Sequence, residues 1–135
     1  PMQWDTSKNA GFSSVDKTWL PVNTNYTAIN VEKEQSNEQS LLHTVQQILK
    51  LRNMAALKSG NLAFIEKNKL PKNVLAYTRK AGTEEILVVM NFSKSEKTLA
   101  VPGNFSQILF SNTATDTLSG GKIHLNSYGA VILAR

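Results

Sequence analysis

From residue 61 onward the chain is a succession of short apolar segments separated by turn residues, and this pattern limits the fold more than any other feature. Seven segments have the composition typical of strands: 62–66, 74–79, 85–92, 97–101, 105–110, 122–125 and 130–134. Glycine, proline, asparagine and serine between them predict tight turns. Short strands at about ten-residue spacing predict an antiparallel β-sandwich or an open β-barrel. The unbroken apolar run 86–90 predicts a central strand buried on both faces.

One long helix is predicted before these strands, over about residues 37–59. Ser36 and Gln39 have the spacing of a capping box, Asn37 is an alternative cap, and Gly60 provides a C-terminal stop. Apolar residues recur at helical spacing and would form one face: Leu41, Leu42, Val45, Ile48, Leu49, Ala55 and Ala56.

Two features of this helix bear on its surroundings. Arg52 falls within the apolar face, so its side chain would either extend to solvent or pair with a buried carboxylate. The part of the face formed by Leu41, Val45, Ile48 and Leu49 is expected to remain partly exposed in the isolated chain. An exposed apolar patch of this kind promotes self-association.

Residues 1–35 lack sustained helical or strand periodicity and are predicted to form a long loop. Large apolar side chains are spaced along it: Trp4, Phe12, Trp19, Tyr26 and Ile29. Loops of more than about 15 residues are usually functional or lie on a larger body. The rings of Trp4, Trp19 and Tyr26 could stack on a sugar, or they could fix the loop to a body that this chain lacks. Because the chain begins with proline, we expect it to be a piece of a longer protein.

The residues that could carry chemistry form no catalytic or metal-binding motif. The absence of cysteine excludes a disulfide scaffold, a thiolate zinc site and a cysteine nucleophile. His43 and His124 lack a third ligand at metal spacing, and no serine lies in a Gly-x-Ser-x-Gly elbow. The ten carboxylates lack the paired arrangement of a glycosidase. We therefore predict no catalytic residue, metal or cofactor on this chain.

The charge of the chain bears on its partners. Fifteen basic and ten acidic residues give a net charge of +5, but the basic residues form no dense cluster. This distribution predicts a solvated surface and no nucleic-acid partner. No apolar run approaches the roughly 20 residues that span a bilayer, so no membrane partner is expected.

Four motifs follow one another in residues 1–35. They are Pro-Met-Gln-Trp-Asp at 1–5, Asn-Ala-Gly-Phe-Ser at 9–13, Trp-Leu-Pro-Val-Asn at 19–23 and Ile-Asn-Val-Glu at 29–32. Together they resemble the late-barrel segment of the α-amylase superfamily, and more narrowly the oligo-1,6-glucosidase and α-glucosidase branch of glycoside hydrolase family 13. Residues 40–52 resemble the last barrel helix, and residues 87–93 resemble a strand of the C-terminal β-domain. Thr24 stands where the family usually has proline.

The resemblance implies a fold class that is mainly β with one long α-helix. Residues 1–60 would end a catalytic (β/α)8 barrel, with a long loop at 1–35 and its last helix at about 37–59. Residues 61–135 would form an antiparallel β-sandwich of the α-amylase C-terminal type, which stabilises the barrel. Arg52 would then be a buried barrel-helix residue whose partner is missing.

The resemblance also implies a function for the parent protein, the hydrolysis of α-glucosidic bonds in short oligosaccharides by a retaining mechanism, and it favours a cytoplasmic location. The family's catalytic carboxylates all precede Pro1, so this chain would be inactive, and Gln3 and Trp4 become candidates for the pocket wall. A trehalose synthase or sucrose isomerase is an alternative parent. An independent carbohydrate-binding or interaction domain is the alternative from another functional class.

Overall fold

The computed structural model describes all 135 residues, which divide into an N-terminal unit, Pro1–Gln47, and a C-terminal unit, Ile48–Arg135. The helices are α1 (Val31–Ser36), α2 (Leu41–Leu51) and α3 (Ala55–Ser59). The strands are β1 (Asn61–Phe64), β2 (Val74–Ala81), β3 (Glu84–Asn91), β4 (Lys97–Ala100), β5 (Gln107–Ser111), β6 (Thr117–Ser119), β7 (Lys122–Leu125) and β8 (Ala130–Ala134). Short 3-10 turns lie at Lys8–Gly11, Thr24–Thr27 and Lys67–Lys69. None of the helices combines the length and apolarity needed to cross a bilayer.

The C-terminal unit contains two antiparallel sheets that share one core. The larger sheet has the order β1-β2-β3-β8-β5 and the smaller has the order β4-β7-β6. Both contribute fully or nearly fully buried side chains to this core: Leu87, Val89 and Leu133 from the larger, Leu99, Ile123 and Leu125 from the smaller. Two sheets around a common core form a β-sandwich, which is one of the two architectures that the strand spacing predicts.

Strand β3 lies at the centre of the larger sheet and is buried on both faces, as the apolar run 86–90 predicts. Leu87 and Val89 face the sandwich core. Ile86 and Val88 face the other way, into a second cluster that includes Ala56 of α3. Alternation of side chains along a strand accounts for this division, and α3 covers part of the outer face.

Seven of the eight strands correspond to predicted segments, and β6 was not predicted. It has three residues and only one large apolar side chain, Leu118, too little for a period-two pattern. Its position depends on pairing with β7, in which Leu118 lies opposite Ile123. Gly120 and Gly121 form the turn between these strands, and both have positive φ angles.

Two helices replace the single helix predicted over about residues 37–59. The N–H groups of Asn53 and Met54 donate to the carbonyls three residues earlier, at 3.2 and 3.0 Å, which tightens and ends the last turn of α2. Met54 is extended, and α3 then begins at Ala55 with Ala56 fully buried against the larger sheet. Ser40, whose Oγ accepts from the His43 N–H at 3.2 Å, caps α2 in place of Ser36 or Asn37.

Helix α1 lies partly within the segment predicted as loop. The side chain of Asn30 accepts from the Lys33 N–H at 2.9 Å, and Glu32 and Glu34 occupy the first turn. These are ordinary signals for a helix start, but six residues are too few to show a helical period. Residues 1–60 contain no strand, since the first begins at Asn61. The assignment of these residues to the end of a (β/α)8 barrel therefore stays a prediction.

Candidate functional site

Gln3, a predicted wall residue, connects two distant segments of the N-terminal unit. Its Nε2 donates to Asn25 Oδ1 at 3.1 Å and to the Ile29 carbonyl. Its own carbonyl accepts from the Val31 N–H at 2.9 Å. The Gln3 side chain is therefore occupied in holding the loop together.

Trp4, the second predicted wall residue, is fixed by its backbone while its ring remains half exposed. The Trp4 N–H donates to the Ala10 carbonyl at 2.8 Å, and its carbonyl accepts from the Glu32 N–H at 2.9 Å. The side chain is 49% exposed. A flat ring on a fixed backbone provides the kind of surface on which another ring can stack.

Asp5 supports the turn that follows Trp4. Its carboxylate accepts from the hydroxyl of Ser7 and from the Ser7 N–H, and these bonds lower the pKa of Asp5 from its ordinary value. Residues Asn9, Ala10 and Gly11 all have positive φ, at 53°, 57° and 66°. A Cβ at position 11 would lie 2.5 Å from Asp5 Oδ2, so only glycine allows the turn and the carboxylate to approach so closely.

The other aromatic residues of the loop differ in exposure: Trp19 is 98% exposed, Phe12 is about half exposed and Tyr26 is partly buried. No ring of the loop stacks on Trp4.

Ser40 and His43 lie close together, with 3.1 Å between Ser40 Oγ and His43 Nδ1, but they are not arranged as a nucleophile and its base. Ser40 Oγ donates to the Glu34 carbonyl at 2.7 Å. His43 Nδ1 lies 2.9 Å from the Asn37 carbonyl, which can only accept, so this nitrogen carries the proton. A protonated Nδ1 cannot remove the Ser40 proton, so the pair has a structural role.

Eight of the ten carboxylates have a donor nearby. Ion pairs join Lys8 to Asp16 at 2.6 Å, Lys69 to Glu66 at 2.9 Å and Arg135 to Glu85 at 2.9 Å, and His124 Nε2 lies 3.5 Å from Glu96 Oε2. Asp5, Glu34, Glu84 and Asp116 accept hydrogen bonds from backbone N–H groups. These partners assign the carboxylates to caps, turns and surface pairs. The residues His, Asp and Glu also form no group of three that could hold a metal ion.

Asp116, which the sequence indicates only as a turn residue, is the centre of a buried polar cluster at one end of the sandwich. It is 7% exposed and accepts from Asn126 N at 2.7 Å, Asn126 Nδ2 at 3.0 Å and Ser111 Oγ at 2.7 Å. Burial alone would raise the pKa of Asp116, but the hydrogen bonds from Asn126 and Ser111 outweigh it and lower that pKa. Asn91 extends the cluster by donating to the Asn126 carbonyl at 2.8 Å. The cluster ties together the ends of β3, β5 and β7.

Apolar side chains are exposed on α2 and on the larger sheet. On α2, the exposed fractions of Leu41, Val45, Ile48 and Leu49 are 72%, 44%, 37% and 51%. Arg52 is exposed as well, which agrees with extension to solvent in this chain. On the outer side and end of the larger sheet, Leu62, Phe64 and Phe92 are each more than half exposed; we call these three residues the sheet patch.

Comparison with known families and proteins accounts for most of the chain. Residues 1–60 match the family model of the α-amylase catalytic domain, and residues 74–132 match that of the C-terminal domain of the α-amylase SusG. Among curated proteins, a glucan 1,6-alpha-glucosidase of Streptococcus pneumoniae is 40% identical over 84% of this chain. A probable oligo-1,6-glucosidase 2 of Bacillus subtilis is 36% identical over 87% of it.

Solved structures agree with these relatives. A trehalulose synthase matches all of this chain with a TM-score of 0.84 at 30% identity. A trehalose-6-phosphate hydrolase of Bacillus licheniformis matches 99% of it with a TM-score of 0.80 at 25% identity. The chain spans 21% of the streptococcal relative and 25% of the trehalulose synthase chain.

Proposed function

The chain belongs to the α-amylase superfamily, among relatives that are α-glucosidases, and on that premise we propose that it is the non-catalytic C-terminal part of an α-glucosidase. The parent enzyme would hydrolyse α-glucosidic bonds of short oligosaccharides by a retaining mechanism, with its three catalytic carboxylates outside this chain. The observation that carries the proposal is the continuous match to α-glucosidases across both units. The partners of the carboxylates support it, because eight of ten are already occupied in caps, turns and ion pairs.

Within the parent enzyme, the N-terminal unit would line part of the pocket wall. Trp4 would present its half-exposed ring, and Gln3 would act as a positioning residue because its amide ties the residue before Trp4 to Asn25 and Ile29. A Gln3→Leu variant of the whole enzyme keeps the size of the side chain but loses its donors. We expect it to lower kcat/KM through a displaced Trp4, and a Trp4→Leu variant to raise KM directly. The conservative Gln3→Asn variant should restore little, because its amide is one methylene short of Asn25 and Ile29.

The C-terminal unit would stabilise the catalytic barrel. The sheet patch and the exposed face of α2 are apolar surfaces that burial in a larger protein would satisfy. In the isolated chain the same surfaces would favour self-association, and the apolar face of α2 would contribute most to it. Sedimentation of the chain at high concentration tests this, and a clean monomer without dye-binding apolar surface would contradict it.

Complementation tests the main proposal. The catalytic remainder of the streptococcal glucan 1,6-alpha-glucosidase, produced without its own counterpart of this chain, should gain solubility and isomaltose hydrolysis when co-produced with this chain. The isolated chain should hydrolyse neither isomaltose nor maltose. Measurable turnover by the pure chain would contradict the statement that the catalytic carboxylates lie elsewhere. Saturable binding of maltose by calorimetry would favour an independent carbohydrate-binding module.

A further inference from the structure

An apolar cavity of about 200 Å³, partly open to solvent beside Lys69 and Pro102, lies in the C-terminal unit where the two sheets and the β1–β2 connection meet. Ala76 and Leu87 line it from the larger sheet, Leu99 and Val101 from β4 and the residue after it, and Ile65 and Leu70 from the connection. All six side chains belong to the sandwich core or pack against it. The cavity therefore extends from the surface into the main core, and Ile65 and Leu70 separate it from the neighbouring groove that Phe64 and Phe92 line.

The lining provides little to hold water. Polar atoms contribute only a minor part of the cavity wall. The backbone groups at its border are already paired, since the Ile65 N–H donates to the Ala76 carbonyl at 2.9 Å and the Val101 N–H donates to the Gly121 carbonyl at 2.8 Å. Lys69 is the one charged lining residue, and its ammonium group is turned to Glu66 at 2.9 Å on the surface. A tightly bound water needs two to four polar partners, and this mainly apolar wall offers few of them, so an apolar molecule would displace only weakly held water.

We propose that this cavity is a binding site for a small uncharged apolar molecule about the size of one hydrocarbon ring. An apolar cavity of about 150 Å³ is large enough to take up benzene, so this cavity of about 200 Å³ has room for such a ring. A ring placed here contacts the larger sheet, β4 and the connection at once. It restores dispersion contacts that the lining side chains lack, and it therefore stabilises the sandwich. This site is independent of the glucosidase function proposed above.

Titration of the full chain with benzene tests the site. We expect the unfolding temperature of the C-terminal unit to rise with benzene concentration, and saturable NMR shifts of the Leu87, Leu99 and Val101 methyl groups. Filling the cavity by Ala76→Leu should weaken benzene binding at least tenfold. Ala76→Val is a smaller second variant in case leucine prevents folding. Ala63→Leu adds the same side chain at an exposed position of β1 and should leave the affinity unchanged.

Three outcomes would overturn the proposal. The first is the absence of methyl shifts and of any change in unfolding temperature in the wild-type chain. The second is equal benzene affinity in the wild type and in both Ala76 variants. The third is a set of shifts confined to Phe64 and Phe92, which would place benzene on the sheet patch instead of in the core.

Discussion

Replacement of Asp116 tests whether the buried polar cluster holds the end of the sandwich together. In Asp116→Ala, the backbone and side-chain N–H groups of Asn126 and the hydroxyl of Ser111 lose their acceptor at a position that is 7% exposed. Each hydrogen bond to a charged group contributes about 1.5–3 kcal/mol, but the three are not additive, and water can enter the space that the carboxylate leaves. We expect a loss of about 3 kcal/mol. Asp116→Asn keeps one acceptor oxygen and should lose about 1 kcal/mol.

Urea unfolding of the C-terminal unit, followed by the circular dichroism of its strands, measures these losses. With a slope of about 1.5 kcal/mol per molar urea, Asp116→Ala should lower the midpoint by about 2 M. Glu96→Gln is the matched control, because Glu96 lies in the same unit on the surface, where its side chain is 66% exposed. Its midpoint should equal that of the wild type. An Asp116→Ala midpoint that also equals the wild type would refute the reasoning.

The pH dependence gives a second check on the same carboxylate. The pKa of Asp116 is lower in the folded chain than in the unfolded chain, so ionised Asp116 stabilises the fold at pH values above its unfolded pKa. This stabilisation is lost as the pH falls through the folded pKa, which lies below the ordinary value near 4. The stability difference between wild type and Asp116→Asn should therefore be constant from pH 7 to about pH 5 and shrink below about pH 4. An undiminished difference at pH 3 would contradict the assigned hydrogen bonding.

Three further predictions concern other contacts. Gly11→Ala should destabilise the N-terminal unit by more than the roughly 1 kcal/mol expected of a left-handed alanine, because its Cβ would also displace Asp5. Tryptophan fluorescence reports this, because both tryptophans lie in that unit. Gly82→Ala in the C-terminal unit has a similar φ but open space around it, and as the control it should lose only about 1 kcal/mol in urea unfolding followed by circular dichroism. Glu84→Gln removes the charge that caps α3 through the Ala56 N–H and should lower the stability by about 1 kcal/mol in thermal unfolding. A melting temperature equal to that of the wild type would contradict this. A double change of Leu41 and Leu49 to lysine should make the isolated chain more monomeric in sedimentation. Unchanged association would show that another surface mediates it.

Local sequence patterns predicted the parts of the fold that depend on neighbouring residues. The seven longer strands show apolar runs bounded by turn residues, and β3 has an apolar residue at each position of 86–90, so its burial on both faces was predictable. The four motifs of residues 1–35 likewise predicted the family that the comparisons confirm. Periodicity and turn chemistry act over a few residues, and a single sequence displays them directly.

Only the tertiary structure decided the features that join distant segments. Gln3 bonds to Asn25 and Ile29, which lie 22 and 26 residues away, and this use of its amide has no local signal. The break between α2 and α3 depends on Ala56 docking on the larger sheet, where Glu84, 28 residues along the chain, accepts its N–H. Asp116 looks like an ordinary turn residue until Ser111 and Asn126 enclose it. The physical reason is common to all three. Burial and hydrogen-bond partners depend on which distant segments meet, and that is settled only when the whole chain packs.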